Sequence, residues 1–132
     1  MLTTTIHFAG NCDQAISFYK EVLGAEVKSI YYSKDAPADQ GMEGLPPHFV
    51  MHSEIQIAGQ VVNMSDGAQS SFSGDNFSFM LVKDTADEVS DVYQKLSESG
   101  KIIEELAPTF WAARYGMIVD RFGVCWQVMT PE

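Results

Sequence analysis

NCDQAISFYKEVLG, residues 11–24, and TADEVSDVYQKLSESG, residues 85–100, are the two stretches on which the fold turns. In the first, Asn11 is suited to an N-cap and Gln14 stands three places on, the spacing of a capping box. Ala15, Phe18, Tyr19 and Val22 recur at helical spacing, so one face is apolar. Gly24 marks the stop. In the second, Thr85 and Glu88 form the same box, Val89, Val92, Tyr93 and Leu96 form the stripe, and Gly100 sits near the stop. The chain thus predicts two amphipathic helices of similar design.

Around them the apolar segments are short and rich in β-formers. Strands are expected near 3–9, 26–32, 48–57 and 60–65, and again near 77–83, 101–106, 115–119 and 124–129. The order is β-α-β-β-β, twice. A shift of 74 places Asn11 on Thr85, Gln14 on Glu88, Tyr19 on Tyr93 and Thr4 on Ser78. A shift of 64 places IAGQVVNM (57–64) on RFGVCWQV (121–128), with Gly59 on Gly123 and Asn63 on Gln127. The repeat predicts an α+β fold of two tandem βαβββ modules in one domain, 1–132, with module one over 1–65 and module two over 76–132. Each sheet has one face covered by its helix, and the other faces are expected to curl around a cleft. DGAQSSFSGD (66–75) reads as an inter-module linker. SKDAPADQGMEGLPP (33–47) reads equally as a surface connection or as a lid over the cleft.

The 18 acidic and 8 basic residues give a net charge of −10. Such a surface repels nucleic-acid phosphates and anionic lipid, so neither a nucleic acid nor a membrane is the expected partner. The first residues, MLTTTIHFAGN, lack the basic-then-apolar pattern of a signal peptide, and no apolar run has the length of a membrane span. Cys12 and Cys125 are far apart and in no paired spacing, which fits a reduced, cytoplasmic compartment. NMS at 63–65 and NFS at 76–78 match the glycosylation pattern and are read as chance.

The segments FAGNCDQAISFYKEVLGAEV (8–27), MHSEIQIAG (51–59), TFWA (109–112) and DRFGVCW (120–126) carry a resemblance along nearly the whole chain, in order. The opening resembles the vicinal oxygen chelate superfamily, which includes glyoxalase I, bleomycin-resistance proteins and extradiol dioxygenases; the full set is similar to its PhnB-like branch, which also bears a demethylubiquinone methyltransferase label. The resemblance implies the paired βαβββ fold, a homodimer, and a cavity within each curved sheet. In metal-using members four positions, on the first and last strands of each module, supply ligands. Carried onto this chain they are Thr4, Asn63, Ser78 and Gln127. That set departs from the metal pattern, because a divalent ion at such a site wants imidazole nitrogen and carboxylate oxygen. The glyoxalase-type reaction needs the metal as a Lewis acid and a carboxylate base, and the mapped positions offer neither. No glycine-rich nucleotide loop follows a strand, so the methyltransferase label gains no support from the residues.

The leading expectation is therefore a protein that binds a small organic ligand without metal, as a sequestering or accessory protein. Asn63 and Gln127 would supply hydrogen bonds, with Thr4 and Ser78 beside them. His52, in the third strand with Glu54 and Gln56, is suited to hold an anionic ligand. Trp111, after the Ala107-Pro108 break, is suited to line the cavity mouth. Two alternatives stand: a metal-dependent lyase or dioxygenase using His7 or His52 through a changed register, and a dimeric structural or regulatory module with no ligand. Alternation puts His7 on the face opposite Thr4, unless a slip of one residue reverses it. His48 is expected to be exposed, Trp126 and Cys125 to be core, and Arg114 to be a solvated loop residue, with no fixed pairing seen for it or for Tyr115. Cys12, in the first helical turn, is expected to have a thiol pKa lowered by the helix dipole.

Overall fold

The computed structural model describes residues 1–37, 44–67, 74 and 76–132. Parts of the 33–47 segment and most of the 66–75 linker fall outside the described residues. The rest forms the order β1 (Thr5–Phe8), α1 (Cys12–Leu23), β2 (Glu26–Tyr32), β3 (Val50–Ile57), β4 (Gln60–Asp66), then β5 (Phe79–Val82), α2 (Ala86–Ser97), β6 (Lys101–Ala107), β7 (Tyr115–Val119), β8 (Cys125–Met129). A 3-10 turn, Ser33–Asp35, follows β2. The strands form two four-stranded mixed sheets, β1-β4-β3-β2 and β5-β8-β7-β6. In each, the first strand runs parallel to the last and the other pairs are antiparallel. This is the α+β arrangement of two βαβββ modules that the repeat predicts. The chain divides into compact units at 1–71 and 72–132, and β4 runs on to Asp66, one residue into the expected linker.

Module one folds because α1 lays its apolar stripe on the sheet. Ala15, Ile16, Phe18 and Tyr19 are buried against a sheet face that carries Ile55, Val62 and Met64. Each of the Ile, Phe, Val and Met side chains among them contributes about 1.5–3 kcal/mol when fully buried. The helix stops at Gly24, as the sequence predicts, with the Gly24 N–H bonded to the Tyr19 carbonyl. β3 and β4 are joined by Ala58-Gly59, both at positive φ (50° and 82°), the pair of left-handed residues that a two-residue hairpin turn requires.

The start of α1 differs from the expectation. Asn11 makes no side-chain cap. Asp66, buried at the end of β4, takes over: its Oδ1 accepts from the Gly10 and Cys12 N–H groups (2.9 and 3.0 Å), and its Oδ2 accepts from Val50 N–H (3.0 Å). One carboxylate thus fixes the β1–α1 turn, the helix start and the start of β3, and an anion beside a helix N-terminus is favoured by the dipole. A partner 54 residues away has no signature in local spacing.

In module two the Thr85 cap forms, its hydroxyl accepting from Glu88 N–H at 3.2 Å. Val89, Val92, Tyr93 and Leu96 are buried, as their spacing predicts. They meet a sheet face of Ile118, Trp126 and Val128. Gly116 permits close approach here: a Cβ at this position would stand 2.6 Å from the Tyr93 ring. The β7–β8 turn is organised by Asp120, whose Oδ1 accepts from Phe122 and Val124 N–H and whose Oδ2 accepts from the Trp126 indole at 3.0 Å. Trp126 and Cys125 are therefore buried, as expected.

Candidate functional site

With Trp126 and Val128 turned to the helix, alternation puts Gln127 on the open face of the second sheet. Cross-strand register sets one row there: Glu104 on β6, Met117 on β7, Gln127 on β8 and Met80 on β5. The Gln127 amide is held at both ends. Its Oε1 accepts the Tyr115 hydroxyl proton at 2.8 Å, and its Nε2 donates to Ser78 Oγ at 2.7 Å. Two of the expected site residues, Ser78 and Gln127, are thus directly bonded. A third joins through Tyr115, because the Trp111 ring stands edge-on to the Tyr115 ring, centroids 5.4 Å apart.

Tyr115 is the member that sequence reading missed. Its hydroxyl lies 12 residues from Gln127 in sequence, and the Tyr115–Met129 register of the antiparallel pair brings the two together. A signal was present: a tyrosine two places from the hairpin-pair partner of Gln127 falls on the same face. Burial raises the Tyr115 pKa first, and the Glu104 carboxylate and Cys125 add to the rise. The phenol therefore keeps its proton, and that proton is committed to Gln127.

Trp111 owes its place to a short turn. Thr109 Oγ1 accepts from the Trp111 and Ala112 N–H groups (3.3 and 3.1 Å), and Thr109 N–H donates to the Ala112 carbonyl. The turn holds Phe110 98% exposed and Trp111 38% exposed, with their rings at 85°. Arg114 turns the other way. Its Nη1 donates to Ser90 Oγ on α2 at 2.6 Å, and its backbone exchanges hydrogen bonds with Thr130. It is a half-buried, partnered residue rather than a solvated loop arginine.

Module one brings its expected residues together differently. Thr5, not Thr4, pairs with Asn63, and Thr4 lies exposed before β1, its carbonyl accepting from Asn63 N–H at 2.8 Å. The one-residue offset reverses the side-chain parity of β1 relative to the repeat. His7 therefore shares the face of Asn63 and Ser65, and its Nδ1 lies 3.2 Å from Ser65 Oγ. Glu54 is the cross-strand partner of Asn63 on that face. His52 is exposed on the same side of β3, stacked on Tyr31 at 6.3 Å. His48 is exposed, as expected, and edge-on to Tyr32. Cys12 reverses its expectation: the thiol is fully buried, and desolvation, then the Asp66 and Asp13 carboxylates, push its pKa up. Burial outweighs the dipole, and the neighbouring charges have the wrong sign for a thiolate.

Among the described residues neither face brings together three His, Cys, Asp or Glu side chains that could hold a divalent cation. In module two the side-chain oxygen of Gln127 already accepts from Tyr115, and the one carboxylate in its cross-strand row is Glu104. In module one a histidine and a carboxylate share a face, but among the described residues no three His, Cys, Asp or Glu side chains converge.

Two βαβββ modules, each a mixed four-stranded sheet with one covering helix, define a protein of the glyoxalase, or vicinal oxygen chelate, superfamily. Residues 1–129 match the model of the family described as 3-demethylubiquinone-9 3-methyltransferase, and the chain belongs to that PhnB-like family. It is 33% identical to protein YjdN of Escherichia coli K12 over 96% of this chain and 92% of that protein. It is similar to the crystal structure of protein PA1353 from Pseudomonas aeruginosa, with a TM-score of 0.83, 30% identity, and coverage of 99% and 97% of the two chains. It also resembles a putative 3-demethylubiquinone-9 3-methyltransferase, PhnB protein, from Bacillus cereus, with a TM-score of 0.81, 24% identity and coverage of 98% of each chain.

Proposed function

We propose that the protein binds a small organic ligand on the open face of its second sheet, through Gln127, Ser78, Tyr115 and Trp111, without a metal ion. The carrying observation is the Gln127 amide fixed between two hydroxyls, in a cross-strand row with Met80, Met117 and Glu104 and beside the Trp111 ring that meets Tyr115. A polar group held in one orientation beside apolar surface is the arrangement that ligand sites use to orient what they bind. Methyl transfer forms no part of this reading, since no glycine-rich nucleotide loop follows a strand in the sequence. The role is that of a sequestering or accessory protein in a reduced, cytoplasmic setting, which Cys12 and Cys125, both buried and not joined in a disulfide, support. Among the described residues no helix is long and apolar enough to cross a membrane.

A thermal-shift screen of small metabolites tests the reading. At least one compound is expected to raise the melting temperature of the natural protein and to lose that effect in Gln127→Ala. A ligand that stabilises both proteins equally would place binding elsewhere.

One observation favours a second reading, a metal-dependent lyase or dioxygenase. The β1 register puts His7 on the face of Asn63 and Glu54. Metal analysis of protein purified without a histidine tag separates the two: stoichiometric metal that disappears in His7→Ala would replace the metal-free reading. The expected homodimer is supported by large apolar side chains left exposed on β5 and just before it, Phe77 (80%), Met80 (54%) and Val82 (47%). A monomeric mass by light scattering at micromolar concentration would count against it.

A further inference from the structure

We propose that the ligand of the Gln127 face is an organic cation, a substituted ammonium group on a small carbon skeleton, seated against Trp111 and Tyr115 with Glu104 as its counter-charge. This rests on the reading of that face as a binding site and adds the chemical class. Three independent features point the same way.

The first is aromatic geometry. Phe110, Trp111 and Tyr115 form a run of rings, each nearly perpendicular to the next (85° and 73°), and the first two are not spent on the core. Aromatic walls set at steep angles are what an ammonium group meets in cation–π recognition. The second is charge. Glu104 stands in the same cross-strand row as Met117 and Gln127, and its carboxylate acts on the Tyr115 phenol. The nearest arginine, Arg114, is committed to Ser90 on α2. Lys101 shares the open face but pairs with Val119, four residues from Tyr115, about 13 Å along the strand. An anionic ligand would find the carboxylate and no guanidinium.

The third is the direction of the hydrogen bonds. Tyr115 is buried, 9% exposed, and its proton goes to Gln127, so what its phenol oxygen has left for a ligand at the edge of the Trp111 ring is lone pairs. An ammonium N–H, or the polarised methyl groups of a quaternary nitrogen, suits that oxygen. At the other end Ser78 accepts from Gln127, and its own proton has no acceptor among the described residues. The face is therefore acceptor-rich beside Trp111 and carries a donor at Ser78, which fits a cation whose far end bears a hydroxyl or carbonyl oxygen.

The test uses three probes on the full chain: choline, its neutral isostere 3,3-dimethylbutan-1-ol, and methylphosphonate. Titrations are followed by NMR at the Trp111 indole and Gln127 side-chain amide resonances. Choline is expected to move both, to bind roughly 5- to 30-fold more tightly than the isostere, and to weaken as salt rises. Glu104→Gln, at an exposed position, should lower choline affinity several-fold with the remaining spectrum unchanged, and Trp111→Leu should lower it more. Equal binding of choline and the isostere would overturn the cation assignment and leave the binding face intact. So would methylphosphonate binding in place of choline. If none of the three moves either resonance, and no stabilising compound from the metabolite screen does so, the binding face and the cation fail together.

Discussion

The two modules share strand order, helix length and sheet topology, yet they spend their polar residues differently. Module one carries its buried carboxylate, Asp66, at the end of β4, where it gathers three backbone N–H groups from the helix start and from β3. Module two carries Asp120 inside the β7–β8 turn, where it takes two local N–H groups and the Trp126 indole. The aspartate of module one closes long-range contacts, while that of module two closes a hairpin. The open faces diverge too. In module two Gln127 is clasped between Tyr115 and Ser78, whereas in module one the matching Asn63 lies among ionisable neighbours, His7 and Glu54. Duplication preserved the frame and left each copy free to place its polar groups where they serve folding or recognition.

The sharpest way to break the comparison is to remove the two aspartates. Asp66→Ala leaves three backbone donors unmatched, two in buried bonds, and should cost about 3–5 kcal/mol in urea unfolding. Asp120→Ala frees local turn donors, which find water more readily, and the Trp126 indole; about 2–3 kcal/mol is expected. Equal losses would mean that the reach of the Asp66 contacts adds nothing beyond their number.

Next comes the point where each sheet meets its helix. The cross-strand pairs Glu54–Asn63 and Met117–Gln127 make Ser53 and Gly116 equivalent. Ser53 is fully buried and donates to the Met64 carbonyl at 2.6 Å. At Gly116 even a methyl group would meet the Tyr93 ring and the Leu106 side chain. Gly116→Ala should therefore cost about 1–3 kcal/mol by overpacking, while Ser53→Ala should lose about 1 kcal/mol through one hydrogen bond. A neutral Gly116→Ala would show that Tyr93 can shift away, and with it the bond from its hydroxyl to the Glu104 carbonyl.

How much of this was written in local sequence follows from the range of each interaction. Both helices, their apolar stripes and the eight strands are periodic features within a dozen residues, and they were legible within about three residues at each end. The Thr85 cap was legible because both partners lie within one helical turn. Asn11 makes no cap, and the Gly10 and Cys12 N–H groups on either side of it are held by a carboxylate 54 residues from Cys12, which local spacing does not show. Of the mapped positions, Ser78 and Gln127 are bonded to each other, whereas Thr4 lies before β1 and Thr5 stands opposite Asn63, since a one-residue slip of β1 leaves no mark on composition. Arg114 had no visible partner because its bond is fixed by helix packing, whereas the Tyr115 partner could be read only by counting two places from the hairpin pair of Gln127.

A smaller contrast lies on the open faces. Gln127→Ala removes two part-buried bonds and frees Tyr115 and Ser78 to rotate, so about 1–2 kcal/mol should be lost, along with ligand-induced stabilisation. Asn63→Ala, half-buried on a polar face, should change stability by less than about 0.5 kcal/mol. If Asn63→Ala instead abolished the thermal shift and Gln127→Ala spared it, the functional face would belong to module one.

The smallest expected effect concerns how each helix is tied at its flank. In module one the Tyr32 hydroxyl donates to Asp13 on α1 at 2.6 Å; in module two Arg114 donates to Ser90 on α2 at the same distance. The pH dependence of the first tie lies in the Tyr32 phenol. The Asp13 hydrogen bond, then burial, pushes the Tyr32 pKa up from 10.0 to about 12. Since the folded value lies above the unfolded one, the tie stabilises fully below pH 10 and is lost as pH rises through about 12. Tyr93 and Tyr115 also have raised pKa values, so the alkaline slope of the natural protein is shared among several phenols. The informative quantity is therefore the difference between variants. Tyr32→Phe should flatten the loss of stability between pH 10 and 12, whereas Ser90→Ala should lower stability equally at every pH in that window. Parallel pH curves for the natural protein and Tyr32→Phe would remove the Asp13 bond as the source of the shift and make the two ties alike after all.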